Sequence, residues 1–327
     1  ISSNKLFGGH GSVSLANKFV YLLFHRFDIC ISDAHRPAAF LPCVFCRFVG
    51  NSKVIIEWWD DFSAKAKRLS PRNPIKKYGI CRDLRNEILS KKKADGVIAL
   101  STLLAAKAES IGVEKTRIGV VHGGCDTSHL LFNPLNTGKD RVAVDRNTLT
   151  FGFIGSGDIE MVDLKVFFDA ALELIDKYRI KFLNFGQPFA KTTRNNPKMN
   201  DFVVECGWID YYGDNSLLSA VDVFVLIKQE NVENNAGWPN KFGDYLALGR
   251  PVMVNLYGDL VGFTKQWAPG VIPVKYTTDS IKEAIIDVCE GKYCLDDLAR
   301  RNREIAEQNT WLHKAREIEY LIGTIDN

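Results

Sequence analysis

The chain has 327 residues, of which 46% are hydrophobic and 25% are charged, and its formal net charge is +3. This length suits two domains, and the ordinary composition excludes a fibrous or intrinsically disordered chain. No segment approaches the roughly 20 consecutive apolar residues that a membrane-spanning helix needs, and no signal peptide is evident.

Strand-like and helix-like segments alternate along the chain, which is typical of parallel sheets with crossover helices. The polar, turn-rich stretch 123–147 is predicted to link two domains. Before it, strands are predicted over 28–32, 53–57, 96–100 and 117–121, and helices over 12–24, 38–49, 78–92 and 102–111. After it, strands are predicted over 149–154, 180–185, 202–205, 221–226, 251–255 and 271–274, and helices over 161–177, 240–248, 280–290, 295–307 and 311–321.

The eight cysteines are scattered along the chain. Cys43 and Cys46 have the spacing of a redox or metal motif, but no second pair and no histidine at ligand spacing accompany them. We therefore favour packing over chemistry for this pair, and we expect no metal site. Several of the scattered cysteines lie in apolar runs that are expected to be buried, and this pattern is typical of a reducing compartment, so a cytoplasmic location is expected.

A basic run extends from Lys65 to Lys93 and is opposed only by Asp83 and Glu87. Such a run attracts anionic lipid head groups, at about 1 kcal/mol per basic residue near the surface. A solvated helix face and a nucleic-acid site are the alternatives, but aromatic residues do not alternate with the basic ones as base stacking requires. Our hypothesis is that this basic run contacts an anionic membrane surface peripherally, at the inner face of the membrane. We expect no binding to nucleic acid.

The stretch 234–252, which reads NNAGWPNKFGDYLALGRPV, carries the most chemical information. A helix that begins after Pro239 offers free backbone N–H groups and its dipole to a diphosphate. Lys241 lies in the first turn, where a purely structural helix favours an acid, and this indicates a bound anion. Asp244 follows one turn later and is placed to accept hydrogen bonds from two ribose hydroxyls.

This stretch resembles the C-terminal signature of the group 1, family 4-type retaining glycosyltransferases of the GT-B fold. Gly237–Asn240 and Gly249–Val252 match that signature, and Asp244 stands at its second acidic position. Ala236 replaces the first acidic residue, which in the family lies near the transferred sugar. Further segments resemble the family in the same order and extend the resemblance over most of the chain: 28–35, 94–101, 118–126, 151–155, 185–188 and 204–208.

The resemblance implies an α/β GT-B architecture, with two Rossmann-like doubly wound domains that face a cleft and a shortened N-terminal domain. We predict an acceptor-side domain over 1–138 and a donor-binding domain over 139–310. A C-terminal helix over 311–327 is predicted to pack back toward the N-terminal domain.

The resemblance also assigns a donor site. The glycine loop at residues 8–9 would approach the diphosphate, with a tight turn as the alternative. The turn after Gly155 lacks the family's Arg and Lys, so a plain strand-to-helix turn is the alternative there. The donor-binding residues implied are Gly8, Gly9, Gly155, Ser156, Gly157, Trp208, Trp238, Pro239, Asn240, Lys241 and Asp244.

The predicted strand 53–57 runs into Trp58-Trp-Asp-Asp-Phe62. Asp60 and Asp61 are candidates to orient an acceptor hydroxyl or to act as a general base. A helix N-cap with core aromatics is the alternative. His35 follows another predicted strand and is a third catalytic candidate, or else a satisfied polar residue.

Together these features predict a metal-independent glycosyltransferase of the hexosyltransferase type, with a UDP or GDP sugar as co-substrate and no other cofactor. The acceptor is predicted to be a glycan or a lipid-linked hydroxyl of cell-surface polysaccharide or glycolipid synthesis. Ala236 and the missing Arg and Lys favour the alternative, a non-catalytic GT-B module that binds a nucleotide or glycan or serves as the inactive partner of a transferase. An epimerase or a phosphorylase shares the fold and stays open.

Overall fold

The computed structural model describes residues 12–68, 73–133, 135, 137–189 and 196–325, so Gly8 and Gly9 lie outside the described residues. The chain divides into two compact units, and the polar stretch 123–147 belongs to the second. Within the described ranges, no helix combines the length and the apolar character needed to cross a bilayer. Unit 1 comprises Ile1–His122, Asn235–Trp238 and Ala315–Asn327, and unit 2 comprises Gly123–Asn234 and Pro239–Lys314.

Unit 1 contains a parallel four-stranded sheet whose spatial order follows the chain. Its second and third strands are buried runs of valine and isoleucine, as expected for central strands covered on both faces. The strands are β1 (Ile29–Ser32), β2 (Lys53–Trp58), β3 (Gly96–Ala99) and β4 (Ile118–Val120). The helices are α1 (Ser12–Phe24), α2 (Pro37–Gly50), α3 (Phe62–Arg68), α4 (Pro74–Lys93) and α5 (Thr102–Ser110).

Unit 2 contains a parallel six-stranded sheet with the order β10-β9-β8-β5-β6-β7. This is the doubly wound dinucleotide-fold order, which reverses where the first strand meets the fourth. Its strands are β5 (Leu149–Ser156), β6 (Ile180–Gln187), β7 (Val203–Gly207), β8 (Val223–Leu226), β9 (Val252–Asn255) and β10 (Val271–Val274). Its helices are α6 (Gly157–Leu172), α7 (Pro197–Phe202), α8 (Val232–Ala236, whose last two residues belong to unit 1), α9 (Asn240–Ala247), α10 (Leu260–Trp267), α11 (Thr278–Cys289) and α12 (Leu295–Gln308).

The last helix, α13 (Trp311–Ile325), packs its C-terminal half on the sheet of unit 1. Two glycines in that sheet leave room for it. A Cβ at Gly96 would lie 2.3 Å from Cδ1 of Ile325, and one at Gly119 would lie 2.4 Å from Cδ2 of Leu321. The hydrophobic cluster beneath comprises Ile55, Ile98, Val121, Ile318, Leu321, Ile322 and Ile325.

All ten predicted strands are present, each within two residues of its predicted ends. The predicted start of α4 at residue 78 was wrong because Asn73 caps the helix, accepting from the Ile75 N–H at 2.9 Å, and Pro74 opens it. The predicted end of α6 at residue 177 was also wrong, since the chain leaves the helix in a turn where the Leu174 N–H donates to the Ala171 carbonyl at 2.9 Å. The short helices α3, α7, α8 and α10 were not predicted.

Candidate functional site

The start of α9 lies against the carboxyl end of β5, next to the point where the strand order of unit 2 reverses. Nζ of Lys241 is 4.4 Å from the ring centroid of Phe153. A Cβ at Gly155 would lie 2.7 Å from the same Nζ. Ligands of open α/β sheets bind at this edge, so Lys241 brings a positive charge to the expected place.

The aromatic residue Tyr245 fixes α9 to the sheet. Its ring stacks on Phe224 of β8 with centroids 4.0 Å apart, and its hydroxyl accepts a hydrogen bond from the Ile154 N–H at 3.2 Å. Pro239 precedes the helix, and within the described residues no side chain caps its first turn. The Phe242 N–H donates to the Pro239 carbonyl at 2.8 Å, and the helix dipole favours an anion at this end.

Asp244 lies one turn into α9 and is largely buried. Burial raises the pKa of its carboxyl to about 6, while a hydrogen bond from Tyr211 lowers it, nearby Asp126 raises it and Lys241 lowers it. Gly243, the preceding residue, lets α9 approach the chain at Gly124, since a Cβ there would lie 2.6 Å from the Gly124 carbonyl oxygen. A buried carboxylate whose pKa lies near neutral pH is suited to binding hydroxyl groups.

The turn after β6 is held open by Glu205. Its Oε2 accepts from Asn184 Nδ2 at 2.6 Å, and its Oε1 accepts from the Phe189 N–H at 3.2 Å. The next loop begins at Gly207, which has a φ of +71°, and Trp208 follows with 79% of its surface exposed. This region therefore presents backbone groups and one exposed aromatic ring.

Two predicted donor residues, Ser156 and Gly157, mark the end of β5 and the start of α6, so the chain enters the helix without an intervening loop. Trp238 belongs to unit 1, where it is 6% exposed and stacks on His122 at a centroid distance of 4.3 Å. Ala236 is fully buried in the same unit, and its carbonyl accepts a hydrogen bond from Ser101 Oγ at 2.6 Å. A donor-binding role for these residues stays a prediction.

In unit 1, a cavity of about 220 Å³ brings His35 and Asp60 together. Burial, followed by the charge of Lys91, lowers the pKa of His35 to about 4, so the imidazole is neutral at physiological pH. Trp59 donates its indole N–H to Oε2 of Glu57 at 2.8 Å, and burial raises the pKa of that carboxyl. The cavity therefore combines an aromatic ring, carboxylates and a neutral histidine, which are groups that bind sugar hydroxyls.

Asp61, the third catalytic candidate, is buried in a structural ion pair. Its Oδ1 accepts from Lys107 Nζ at 2.5 Å, from Ser63 Oγ at 2.6 Å and from the Ala64 N–H at 3.0 Å. Burial alone would raise its pKa, but these hydrogen bonds lower it overall. The arrangement corresponds to the helix N-cap that the sequence offered as the alternative.

Trp58 is likewise enclosed, since Lys91 and Lys107 lie 4.8 and 5.2 Å from its ring centroid. Lys91 itself is 1% exposed, so this member of the basic run lies inside the unit. Cys43 and Cys46 are free and buried on α2, as the packing interpretation predicts. In the part of the chain that the structure describes, no group of three or more His, Cys, Asp or Glu residues is arranged to hold a metal ion.

No protein-family model matches the sequence, and no curated protein matches it either. Solved structures do match over nearly the whole chain. The chain has the GT-B fold. Anabaena HepE in complex with UDP aligns with a TM-score of 0.74 at 13% identity, over 98% of this chain and 85% of HepE. Sucrose-phosphate synthase from Thermosynechococcus elongatus gives 0.69 at 16% identity, over 99% and 80%.

A third GT-B structure, S. aureus TarM with fondaparinux, α-GlcNAc-glycerol and UDP, gives a TM-score of 0.61 at 15% identity, over 96% of this chain and 59% of TarM. At these identities the likeness shows the fold alone. The predicted GT-B architecture is therefore confirmed, and the predicted family 4-type subfamily stays a prediction.

Sequence reasoning did not identify Tyr211, Glu57 or Lys91 as site residues. Tyr211 lies in a loop without a motif, and only the fold brings it to Asp244. Glu57 is the last residue of the predicted strand 53–57, so its place at a strand end was a signal that could have been used. Lys91 was hidden among other basic residues, although its spacing from Glu87 places both on one helix face.

Proposed function

We propose that the protein is a glycosyltransferase that moves a sugar from a nucleoside diphosphate sugar to an acceptor hydroxyl. The observation that supports this most is the placement of Lys241 and Asp244 on α9, against Gly155 at the end of β5, in a chain with the GT-B fold. The position is the one where doubly wound sheets bind nucleotides. UDP is the first candidate because HepE and TarM were both crystallised with it.

In the proposed reaction, unit 2 binds the donor. Asp244 accepts hydrogen bonds from the ribose, and backbone groups near Gly207 contact the base. Lys241 and the N–H groups at the start of α9 stabilise the charge that develops on the leaving diphosphate. Such preorganised groups act on the transition state, and removing one of them typically slows turnover about 100-fold or more.

Unit 1 binds the acceptor in the cavity of His35 and Asp60. The exposed carboxylate of Asp60 and the neutral imidazole of His35 are placed to accept hydrogen bonds from acceptor hydroxyls. The ring of Trp59 offers a face for a sugar. We leave Asp61 out of the catalytic set because its carboxylate is occupied by Lys107 and Ser63.

The test is a calorimetric and thermal-shift titration with UDP, GDP, ADP and their common sugar conjugates. A ligand present at about 100 times its Kd adds about 2.7 kcal/mol to the free energy of unfolding. Lys241→Ala and Asp244→Ala should remove that stabilisation, whereas Asp201→Ala, an exposed control in the same unit, should keep it. Absence of binding by a folded sample to every nucleotide would overturn the proposal.

One observation favours the non-catalytic alternative. The position of the family's first acidic residue is held by Ala236, which is fully buried and supplies no group to a sugar. Donor hydrolysis separates the two functions, because glycosyltransferases slowly transfer their sugar to water while a binding module does not. Nucleotide binding without release of sugar, with or without candidate acceptors, would support the binding module.

We also propose that α4 contacts an anionic membrane surface, where a lipid-linked acceptor would be found. Lys76, Lys77 and Arg85 are exposed on this helix, together with Ile75 and Tyr78, which are 79% and 71% exposed. Basic residues with exposed apolar neighbours bind the interface of anionic bilayers.

Sedimentation with phosphatidylserine-containing vesicles tests this membrane contact. A Lys76→Glu/Lys77→Glu variant should bind at least tenfold more weakly, since each charge near the surface contributes about 1 kcal/mol. The Lys265→Glu/Lys275→Glu variant carries the same charge change on exposed positions of unit 2 and should bind like the unchanged protein. Equal loss in both variants would contradict a specific surface on α4.

A further inference from the structure

Lys91 is a buried cation that the proposed reaction does not use. It lies in the last turn of α4, it is 1% exposed, and it lines the cavity of His35 and Asp60. Its Nζ lies 4.8 Å from the ring centroid of Trp58. Within the part of the chain that the structure describes, this ammonium makes no hydrogen bond and no ion pair. Proteins seldom bury a lysine without an anionic or hydrogen-bonding partner, so a ligand is expected beside it.

Glu87, one turn earlier on α4, compensates for this burial only in part. Burial lowers the pKa of Lys91 to about 8, while the charge of Glu87 raises it and that of Lys107 lowers it. Oε1 of Glu87 is occupied, because it accepts from the Phe62 N–H at 2.9 Å and from the Trp58 indole N–H at 3.2 Å. Its Oε2 has no hydrogen-bond partner among the described residues, so the ammonium is not directed at it. A bound anion would supply the missing compensation.

The size and the lining of the cavity suit one sugar residue. Its volume of about 220 Å³ is below the roughly 300–1,000 Å³ of pockets for drug-sized ligands. Nε2 of His35 is buried and has no hydrogen-bond partner within the described ranges, and the ring of Trp59 contributes to the lining. A sugar in this cavity would therefore meet the imidazole and the indole as well as the ammonium of Lys91.

Carboxylates also line the cavity, but they oppose an anion less than their number suggests. Asp33 and Asp60 are exposed, so solvent screens their charges, and Arg36 is an exposed cation beside them. The carboxyl of Glu57 accepts a hydrogen bond from an indole N–H at 2.8 Å, and burial raises its pKa. The lining is therefore mixed in charge where it is exposed and positive where Lys91 is buried.

We propose that Lys91 selects an acceptor sugar that carries an anionic group, a carboxylate or a phosphate, and binds that group inside the cavity. Lysine is a compact point charge that suits either anion. A desolvated ammonium gains more from a charged partner than from a hydroxyl, because electrostatic interactions are stronger in surroundings of low dielectric constant. This inference rests on the proposed function, since it names the class of acceptor for that reaction.

The test is calorimetry with three monosaccharide probes, methyl glucoside, glucuronate and glucose 6-phosphate, each titrated with and without UDP. The variants are Lys91→Met, Lys92→Met and the double variant Glu87→Gln/Lys91→Met. Methionine keeps most of the lysine stem and removes the charge. Lys92 is the matched control, because it is the adjacent residue and is exposed. The double variant removes the carboxylate that Lys91→Met would leave buried without a countercharge.

The unchanged protein should bind at least one anionic sugar about tenfold more tightly than the glucoside, which is the usual effect of a hydrogen bond to a charged group. Lys91→Met and the double variant should lose this preference and bind the glucoside within about twofold of the unchanged protein. Lys92→Met should keep the preference. The tighter of the two anionic sugars identifies the group as a carboxylate or a phosphate. Thermal unfolding checks that each variant is folded.

Equal binding of the three sugars by the unchanged protein, or binding of none, would overturn the inference. A preference that survives Lys91→Met, returns in the double variant or is also lost in Lys92→Met would overturn it too, because the ammonium in the cavity would then not be its cause. The nucleotide titration is a separate readout. Binding of UDP without an anion preference leaves the donor site of the proposed function intact, whereas failure to bind UDP, GDP and ADP overturns that function.

Discussion

Replacing Asp244 by asparagine should stabilise the unliganded protein at neutral pH while abolishing nucleotide binding. The pKa of this carboxyl rises from 3.8 to about 6 on folding, chiefly because the group is buried. The native state therefore binds its proton more tightly than the unfolded state does. The contribution of Asp244 to stability is favourable at low pH, declines as pH rises from about 4 to 6, and stays unfavourable above 6.

The size of the effect follows from the same shift. Each unit of pKa corresponds to about 1.4 kcal/mol, so full burial would give about 3 kcal/mol, and partial solvent access reduces this to about 2 kcal/mol. Asparagine has nearly the same shape and carries no charge to desolvate. Its Oδ1 can still accept the Tyr211 hydroxyl. For a domain of this size, the gain corresponds to a rise in Tm of about 4–8 °C.

The assay is thermal unfolding of both proteins from pH 4 to pH 8 without ligand. The difference in Tm should be close to zero near pH 4, grow through pH 6 and level off above pH 7. An asparagine variant that is less stable at pH 7.5, or a difference that does not change with pH, would refute the reasoning. Loss of UDP-induced stabilisation in the same samples would link the unfavourable charge to function.

Two further predictions concern packing and charge in unit 2. Gly243→Ala should lower the free energy of unfolding in urea titrations by about 1–3 kcal/mol, because the new Cβ meets the Gly124 carbonyl. Gly262→Ala is the control, since this helical glycine has open space around it, and it should raise the same free energy by up to about 1 kcal/mol. Equal effects at the two glycines would contradict the close approach. Lys139→Met should cost about 3–5 kcal/mol by the same measurement, because it leaves Asp222 buried without the ammonium 2.7 Å away. Adding Asp222→Asn should recover part of that loss, and no recovery would exclude the ion pair as the cause.

The sequence was sufficient for the strands and for α9. The parallel strands are buried, so runs such as Val54–Ile56 identify them without knowledge of their neighbours. The start of α9 was found because Pro239 and Lys241 lie at positions with a physical meaning for a helix N-terminus. These signals depend only on neighbouring residues in the sequence, so they can be recognised without knowledge of the fold.

Contacts between segments that are distant along the chain could not be predicted from the sequence. Asp60 and Asp61 are adjacent and chemically alike, and only Lys107 on α5 decides that Asp61 is structural. Tyr211 reaches Asp244 through a loop that no motif marks. The short helices were missed because helices of five to eight residues are stable only through tertiary packing.

The chain passes from unit 1 into unit 2 and returns to unit 1, and this path affects how deletions in the sequence should be designed. The entry and the exit of unit 2 are joined side by side, since the Cys125 N–H donates to Asn309 O at 2.8 Å and the Trp311 N–H donates to Cys125 O at 3.2 Å. The helix that follows these two hydrogen bonds, α13, completes the hydrophobic core of unit 1. A deletion that trims the C-terminus would therefore remove part of α13 and expose the sheet of unit 1, which is formed by the N-terminal part of the sequence. Excision between 123 and 314 would remove unit 2, whose two ends already meet, and would also remove Asn235–Trp238 from unit 1.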